Sequence, residues 1–213
     1  QDIHYTYAGV RPLPRHDKGP ESAITRKHII LKHRKQARGL ISIIGGKLTT
    51  YRSLAEIAVD KAVREIGGEF AECQTRDQPL PGRIDLESTT KIIVAYPGIS
   101  TRCVARLQSV YGSRAARIVE LSAEHPGFVD DSQTVLVAEV IYAMRNEFAV
   151  TLTDIVHRRL MTGLLPDLGR SMITAIADVA AAEAGWDEPT RQAQLDRLRD
   201  HEMQLRANVQ PTQ

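Results

Sequence analysis

Leu40-Ile-Ser-Ile-Ile-Gly-Gly-Lys-Leu-Thr-Thr-Tyr-Arg52 decides how the chain is read. Leu40 to Ile44 is β-branched and almost wholly apolar, the composition of a buried strand rather than an edge. Gly45 and Gly46 let the backbone turn sharply and approach a neighbour closely, because no Cβ intervenes. Thr49 and Thr50 can cap a helix that runs to about Ile66, where Gly67 and Gly68 stop it. Along it Ala55, Ala58, Val59, Ala62 and Ile66 keep helical spacing, so small apolar side chains line one face. Strand, glycine pair and helix start bring free N–H groups and the positive end of a helix dipole to one point. An anionic or hydrogen-bond-accepting ligand group suits that point, and Lys47 adds a full charge there. An ordinary strand-to-helix connection with a solvated lysine suits the same residues, and the pattern alone does not choose.

Outward from this stretch, Ile3 to Leu13 alternates weakly and reads as a strand closed by Pro12 and Pro14. Ala23 to Arg34 and Leu40 to Ile44 read as two strands joined by the basic turn Lys35-Gln-Ala-Arg-Gly39. Glu69 to Asp85 is irregular and rich in Pro, Gly and charge, which marks a domain boundary. Beyond it the signals are helical. Ser100 and Ser113 stand at cap positions around Gly112; Asp131 or Ser132 and then Thr153 open further segments. Gly185 ends the alanine-rich stretch from Gly169, and Asp187 with Pro189 starts the last helix. The expected architecture is mainly α: residues 1–68 a strand-bearing piece, 69–86 a linker, 87–206 a helical bundle, and 207–213 a disordered polar tail.

Composition limits the function classes. At 213 residues and 42% hydrophobic the chain can bury a core, and its net charge of +2 forms no basic block that would favour nucleic acid. Cys73 and Cys103 lack metal-ligand spacing and read as reduced thiols of a cytoplasmic protein, with no metal site expected. No apolar run approaches a membrane span and no signal peptide is apparent. The chain opens at Gln1 in strand-like sequence, as a piece cut from a longer polypeptide would. It contains no Gly-x-Gly-x-x-Gly, the phosphate-cradling loop of a dinucleotide fold. The helical part carries no paired carboxylates and no nucleophile motif. Its one dense basic spot, His157-Arg158-Arg159, is explained by a solvated helix face.

Gly45-Gly-Lys-Leu-Thr-Thr-Tyr-Arg52 resembles a signature near the end of the flavin domain in aerobic-type, FAD-dependent glycerol-3-phosphate dehydrogenases. So do Tyr7-Ala-Gly-Val-Arg-Pro-Leu13 and Ala23-Ile-Thr-Arg26, in the family's order. The helical remainder is more loosely similar to that family's C-terminal domain. The resemblance implies that residues 1–68 belong to a truncated FAD-binding α/β domain followed by the helical bundle. It further implies oxidation of sn-glycerol 3-phosphate to dihydroxyacetone phosphate, hydride passing to flavin N5 and electrons on to quinone. Such chemistry needs a phosphate clamp, a base, and positive potential beside the flavin's pyrimidine edge. By the same resemblance Arg11 and Arg26 hold substrate phosphate, Arg11 through its planar donor fork. Lys47 lies by both flavin and substrate, so Arg11 and Lys47 are the catalytic candidates. Gly45, Gly46, Lys47, Leu48 and Thr49 are the cofactor contacts. The main FAD-binding motif and the base are expected upstream, leaving this chain inactive by itself. The helical part is left as a cap, with self-association as a homodimer or approach to the inner face of the membrane as its roles. Two other readings stand: a glycerol-3-phosphate oxidase with oxygen as acceptor, and a helical protein-interaction module.

Overall fold

A computed structural model describes residues 3–10, 27–35, 37–80, 82–83, 91, 96 and 99–206. These divide into two compact units, one of residues Ala8–Leu80 and one of Pro81–Gln213 together with Gln1–Tyr7. The expected mainly α fold with a short hairpin is what forms.

In the first unit, β1 (Ile29–His33) pairs antiparallel with β2 (Leu40–Ile44), in register from Ile29 opposite Ile44 to His33 opposite Leu40. His33 Nε2 and Ser42 Oγ meet at 2.9 Å on one face. A 3₁₀ turn (Leu48–Thr50) leads into α1 (Tyr51–Ile66), and Gly67 at φ 77° ends it. Lys61 Nζ donates to Ile30 O and Lys32 pairs with Glu65, so α1 lies against the hairpin. β2 is not the buried strand its composition suggests: Leu40 and Ile43 are about half exposed, at 50% and 48%. Two strands with one helix offer a layer for one face only. Residues 3–10, expected as a strand, lie in neither helix nor strand.

The second unit packs α2 (Thr101–Tyr111), α3 (Ala115–Leu121), α4 (Val137–Asn146), α5 (Ile173–Ala184) and α6 (Glu188–Arg206), with a π-helical turn at Asp154–Arg159. One core gathers Leu152, Ile155, Val156, Ile176, Ala180 and Leu198; another gathers Cys103, Leu107, Tyr111, Ile118, Leu136 and Tyr142. Ser100 caps α2 by accepting from Cys103 N–H at 3.1 Å, and Asp187 accepts from Thr190 N–H at 2.9 Å at the start of α6. Both follow the expected cap positions, as does Gly185, left-handed at the end of α5.

Three cap positions differ from expectation. Ser113 faces backward, its Oγ accepting from Gly82 N–H at 3.3 Å. A Cβ on Gly112 would fall 1.6 Å from Gly82 O, at φ +55°, so this close backbone approach requires glycine. Asp130 closes the loop before α4, accepting the N–H groups of Thr134 and Val135, and α4 starts only at Val137. At the third, Thr151 rather than Thr153 does the capping. Its Oγ1 accepts from Asp154 N–H while the Asp154 carboxylate accepts from Thr151 N–H, a reciprocal box. Burial alone would raise the Asp154 carboxyl, but the Thr151 donors and Arg158 outweigh it and hold it at about 2. Among the described residues no helix is long and apolar enough to cross a membrane.

Candidate functional site

The turn between β2 and α1 has the geometry its sequence predicts. Gly45 and Gly46 take φ of 74° and 106°, the positive region that glycine adopts without a Cβ penalty. A side chain built on Gly46 would meet Leu54 Cδ2 at 3.5 Å and His28 Cβ at 3.7 Å, so the pair nests the turn between hairpin and helix. Lys47 is extended, at φ −121° and ψ 149°, and its carbonyl accepts from Thr50 N–H at 3.0 Å and from Thr50 Oγ1 at 3.0 Å. Thr50 is thus the first residue whose N–H a helical carbonyl takes up. The N–H groups of Leu48 and Thr49 precede it in the first turn, where helix donors lack internal acceptors. Lys47, Leu48, Thr49 and Thr50 are all exposed. Arg52, the last residue of the motif, is held by Glu56 at 2.9 Å one turn on and plays a structural part.

The turn therefore unites an open pair of backbone donors, the positive end of a four-turn helix and an ammonium group. It can take an oxygen acceptor or an anion. Of the other expected site residues, Arg11 and Arg26 lie outside the described residues.

The apolar face of α1 differs from an ordinary packed helix. Val59 is 61% exposed and Ile66 76%, and with Ala55, Val63, Phe70 and Leu80 they line an open apolar groove. The helical spacing of these residues identifies the face, while nothing in the pattern indicates whether it is covered.

In the helical unit, His157, Arg158 and Arg159 are not simply a solvated face. Arg158 pairs with Asp154 at 2.5 Å, and Arg159 Nε donates to Glu147 O at 2.7 Å. The His157 ring meets that of His201 edge-on at 4.9 Å, and burial, with His201 and Arg158 nearby, pushes its imidazole down to about 4. It is neutral at pH 7 and packs against Gly163, where a Cβ would stand 2.3 Å from His157 Nδ1. Gly163→Ala should therefore cost about 1–3 kcal/mol through overpacking, measured as a lowered urea midpoint with an unchanged slope. An unchanged midpoint would mean that the ring has room to move.

Sequence reasoning also missed the buried pair of Arg106 and Glu139, whose Nη1 and Oε2 stand 2.5 Å apart. They lie on α2 and α4, and no local spacing connects them. Burial, with the Glu139 charge nearby, pushes the Cys103 thiol up to about 12, so this cysteine is packing rather than a nucleophile. Among the described residues no three His, Cys, Asp or Glu side chains gather as a metal site.

Comparison with known proteins gives these features a lineage. The chain is 33% identical to a glycerol-3-phosphate dehydrogenase of Synechocystis sp. over 94% of its own length and 38% of the relative's. It is 32% identical to a glycerol-3-phosphate dehydrogenase of Mycobacterium leprae, over 87% of this chain and 32% of that one. It is 30% identical to a mitochondrial glycerol-3-phosphate dehydrogenase of Arabidopsis thaliana, over 93% of this chain and 34% of that one. The chain thus spans about a third of the length of the curated relatives it matches. Residues 73–191 match the model of the C-terminal domain of alpha-glycerophosphate oxidase, and the chain belongs to that family.

Proposed function

We propose that this chain is the C-terminal part of an FAD-dependent enzyme that oxidises sn-glycerol 3-phosphate to dihydroxyacetone phosphate. The observation that carries the reading is the Gly45–Thr50 turn, with two N–H groups and Lys47 open at the start of α1. A flavin carbonyl fits there: the positive-φ glycines keep side chains out of the turn, and the exposed N–H groups can donate to its oxygen without displacing a protein bond. When bound, FAD supplies the hydride acceptor. The N–H groups of Leu48 and Thr49 would hold the pyrimidine edge, beside Gly45 and Gly46. Lys47 and the helix dipole would favour negative charge accumulating near that edge. Arg11 and Arg26 would bind the substrate phosphate, an assignment that rests on their motifs. In this reading residues 1–68 complete a flavin domain, 69–86 link it, and 87–206 form the helical domain.

The exposed apolar face of α1 supports a further part of the reading, that this chain is inactive by itself. A helix with Val59 and Ile66 open to water is built to be covered. Quinone as acceptor, self-association and approach to the inner membrane face follow from the family resemblance, not from a surface of this chain.

The test is anaerobic addition of sn-glycerol 3-phosphate to the longer flavoprotein carrying this chain. Bleaching of the bound flavin is expected, with reoxidation by a quinone faster than by oxygen, while the 213-residue chain alone stays colourless. A flavin that substrate does not bleach overturns the assignment. Faster reoxidation by oxygen makes the enzyme an oxidase.

A further inference from the structure

A cleft of about 510 Å³ opens in the helical unit between the end of α2, the residue after α4 and the π-helical turn Asp154–Arg159. Tyr111 lines it and is 4% exposed, and its Oη is buried without a hydrogen-bond partner. Glu147 lines it too, and its Oε2 is buried and unpartnered in the same way. Buried polar atoms nearly always have a partner, so two bare oxygens beside one cleft call for a group that completes them. Arg158 and Arg159 also line the cleft. Arg158 Nη1 holds Asp154, while Arg159 donates through Nε to Glu147 O and through Nη1 to Arg158 O. Among the described residues neither Nη2 has an acceptor. Backbone strain gathers at the same place. Met161, another lining residue, is left-handed at φ 59°, and Phe148, next to Glu147, at φ 56°. Such conformations and π-helical turns are costly and concentrate at functional sites.

We propose that this cleft binds a small hydroxylated phosphate, its phosphate held by Arg158 and Arg159 and a hydroxyl donating to Glu147 Oε2. Guanidinium forks suit phosphate oxygens, and an ionised carboxylate, which only accepts, suits an alcohol O–H. Burial keeps the Tyr111 hydroxyl well above its ordinary value, so the phenol stays protonated and can donate to a ligand oxygen. Burial also raises the Glu147 carboxyl, against the Arg159 and Arg114 charges that pull it down. Because Asp154 and Glu147 offset the two guanidiniums, a bare anion gains little here, and the hydroxyl contact provides the selection. Every residue of the site belongs to the helical unit, so the proposal stands apart from the flavin reading.

The test is equilibrium binding of glycerol 2-phosphate to the longer flavoprotein carrying Arg11→Gln and Arg26→Gln, which remove the substrate contacts proposed above. This probe has a phosphate and primary hydroxyls but no free secondary hydroxyl to oxidise. Saturable binding is expected, about tenfold or more tighter than that of inorganic phosphate. Arg158→Gln and Arg159→Gln should each weaken it about tenfold or more. Glu147→Gln should instead tighten inorganic phosphate and bring the two ligands within about threefold of each other, because the charged acceptor for the hydroxyl is gone. That change of selectivity is one that lost packing does not produce. Absence of saturable binding, or binding that all three substitutions leave unchanged, would overturn the proposal. Equal weakening of both ligands by Glu147→Gln would overturn it as well. Arg159 also holds the Glu147 carbonyl, so if Arg159→Gln melts early, Arg158→Gln and Glu147→Gln decide the matter.

Discussion

Arg11→Lys in the longer flavoprotein is expected to lower kcat/KM for sn-glycerol 3-phosphate about ten- to a hundredfold. The substitution keeps the positive charge and replaces a rigid fork of donors with one rotatable ammonium. Losing one good charged hydrogen bond is worth roughly 1.5–3 kcal/mol, which sets that range. Flavin content and thermal stability should stay near wild type, because the contact exists only with substrate bound. Arg34→Lys is the matched control: the residue is exposed just beyond β1, and neither parameter should move. Loss of flavin or folding in Arg11→Lys, with normal kinetics in the surviving fraction, would make Arg11 structural. The phosphate clamp would then have to be rebuilt from Arg26, Lys47 and residues of the longer polypeptide.

What the sequence made legible was local. α1 begins directly after Thr50, as expected, although the Thr50 hydroxyl donates back to Lys47 O instead of capping the helix; its end follows from Gly67, because positive φ acts locally. Ser100, Gly185 and Asp187 were readable for the same reason. The Thr151-x-x-Asp154 box is also readable, since its spacing is a capping signature. Expecting β2 to be buried on its composition failed because composition reports a strand's preference, not whether a second layer is present. The contacts of Tyr5 with Leu164, His157 with His201 and Arg106 with Glu139 were out of reach. Each joins distant positions through tertiary packing, which leaves no period or spacing in one sequence.

Arg106→Met should destabilise the helical unit by about 3–5 kcal/mol, the usual cost of stranding one member of a buried ion pair. Glu139 is fully buried, while the Arg106 side chain is 20% exposed. The Glu139 carboxylate bridges two tasks, accepting from Arg106 Nη1 at 2.5 Å and from Leu136 N–H at 2.8 Å where α4 begins. Arg106 Nη2 also satisfies Leu160 O at 2.8 Å, so the substitution orphans a buried carbonyl as well. Burial holds the Glu139 carboxyl above its ordinary value even with Arg106 pulling it down. A carboxyl raised in the folded state contributes its stabilisation below the unfolded value and loses it as pH rises. Without Arg106 the opposing attraction vanishes, the folded value climbs further, and the loss on raising pH grows. The deficit of Arg106→Met should therefore be larger at pH 7 than at pH 4, where the stranded carboxyl can take up a proton. Urea unfolding of wild type and variant at both pH values measures this. A deficit that is the same at both would assign the loss to the Leu160 carbonyl and lost packing rather than to the buried charge.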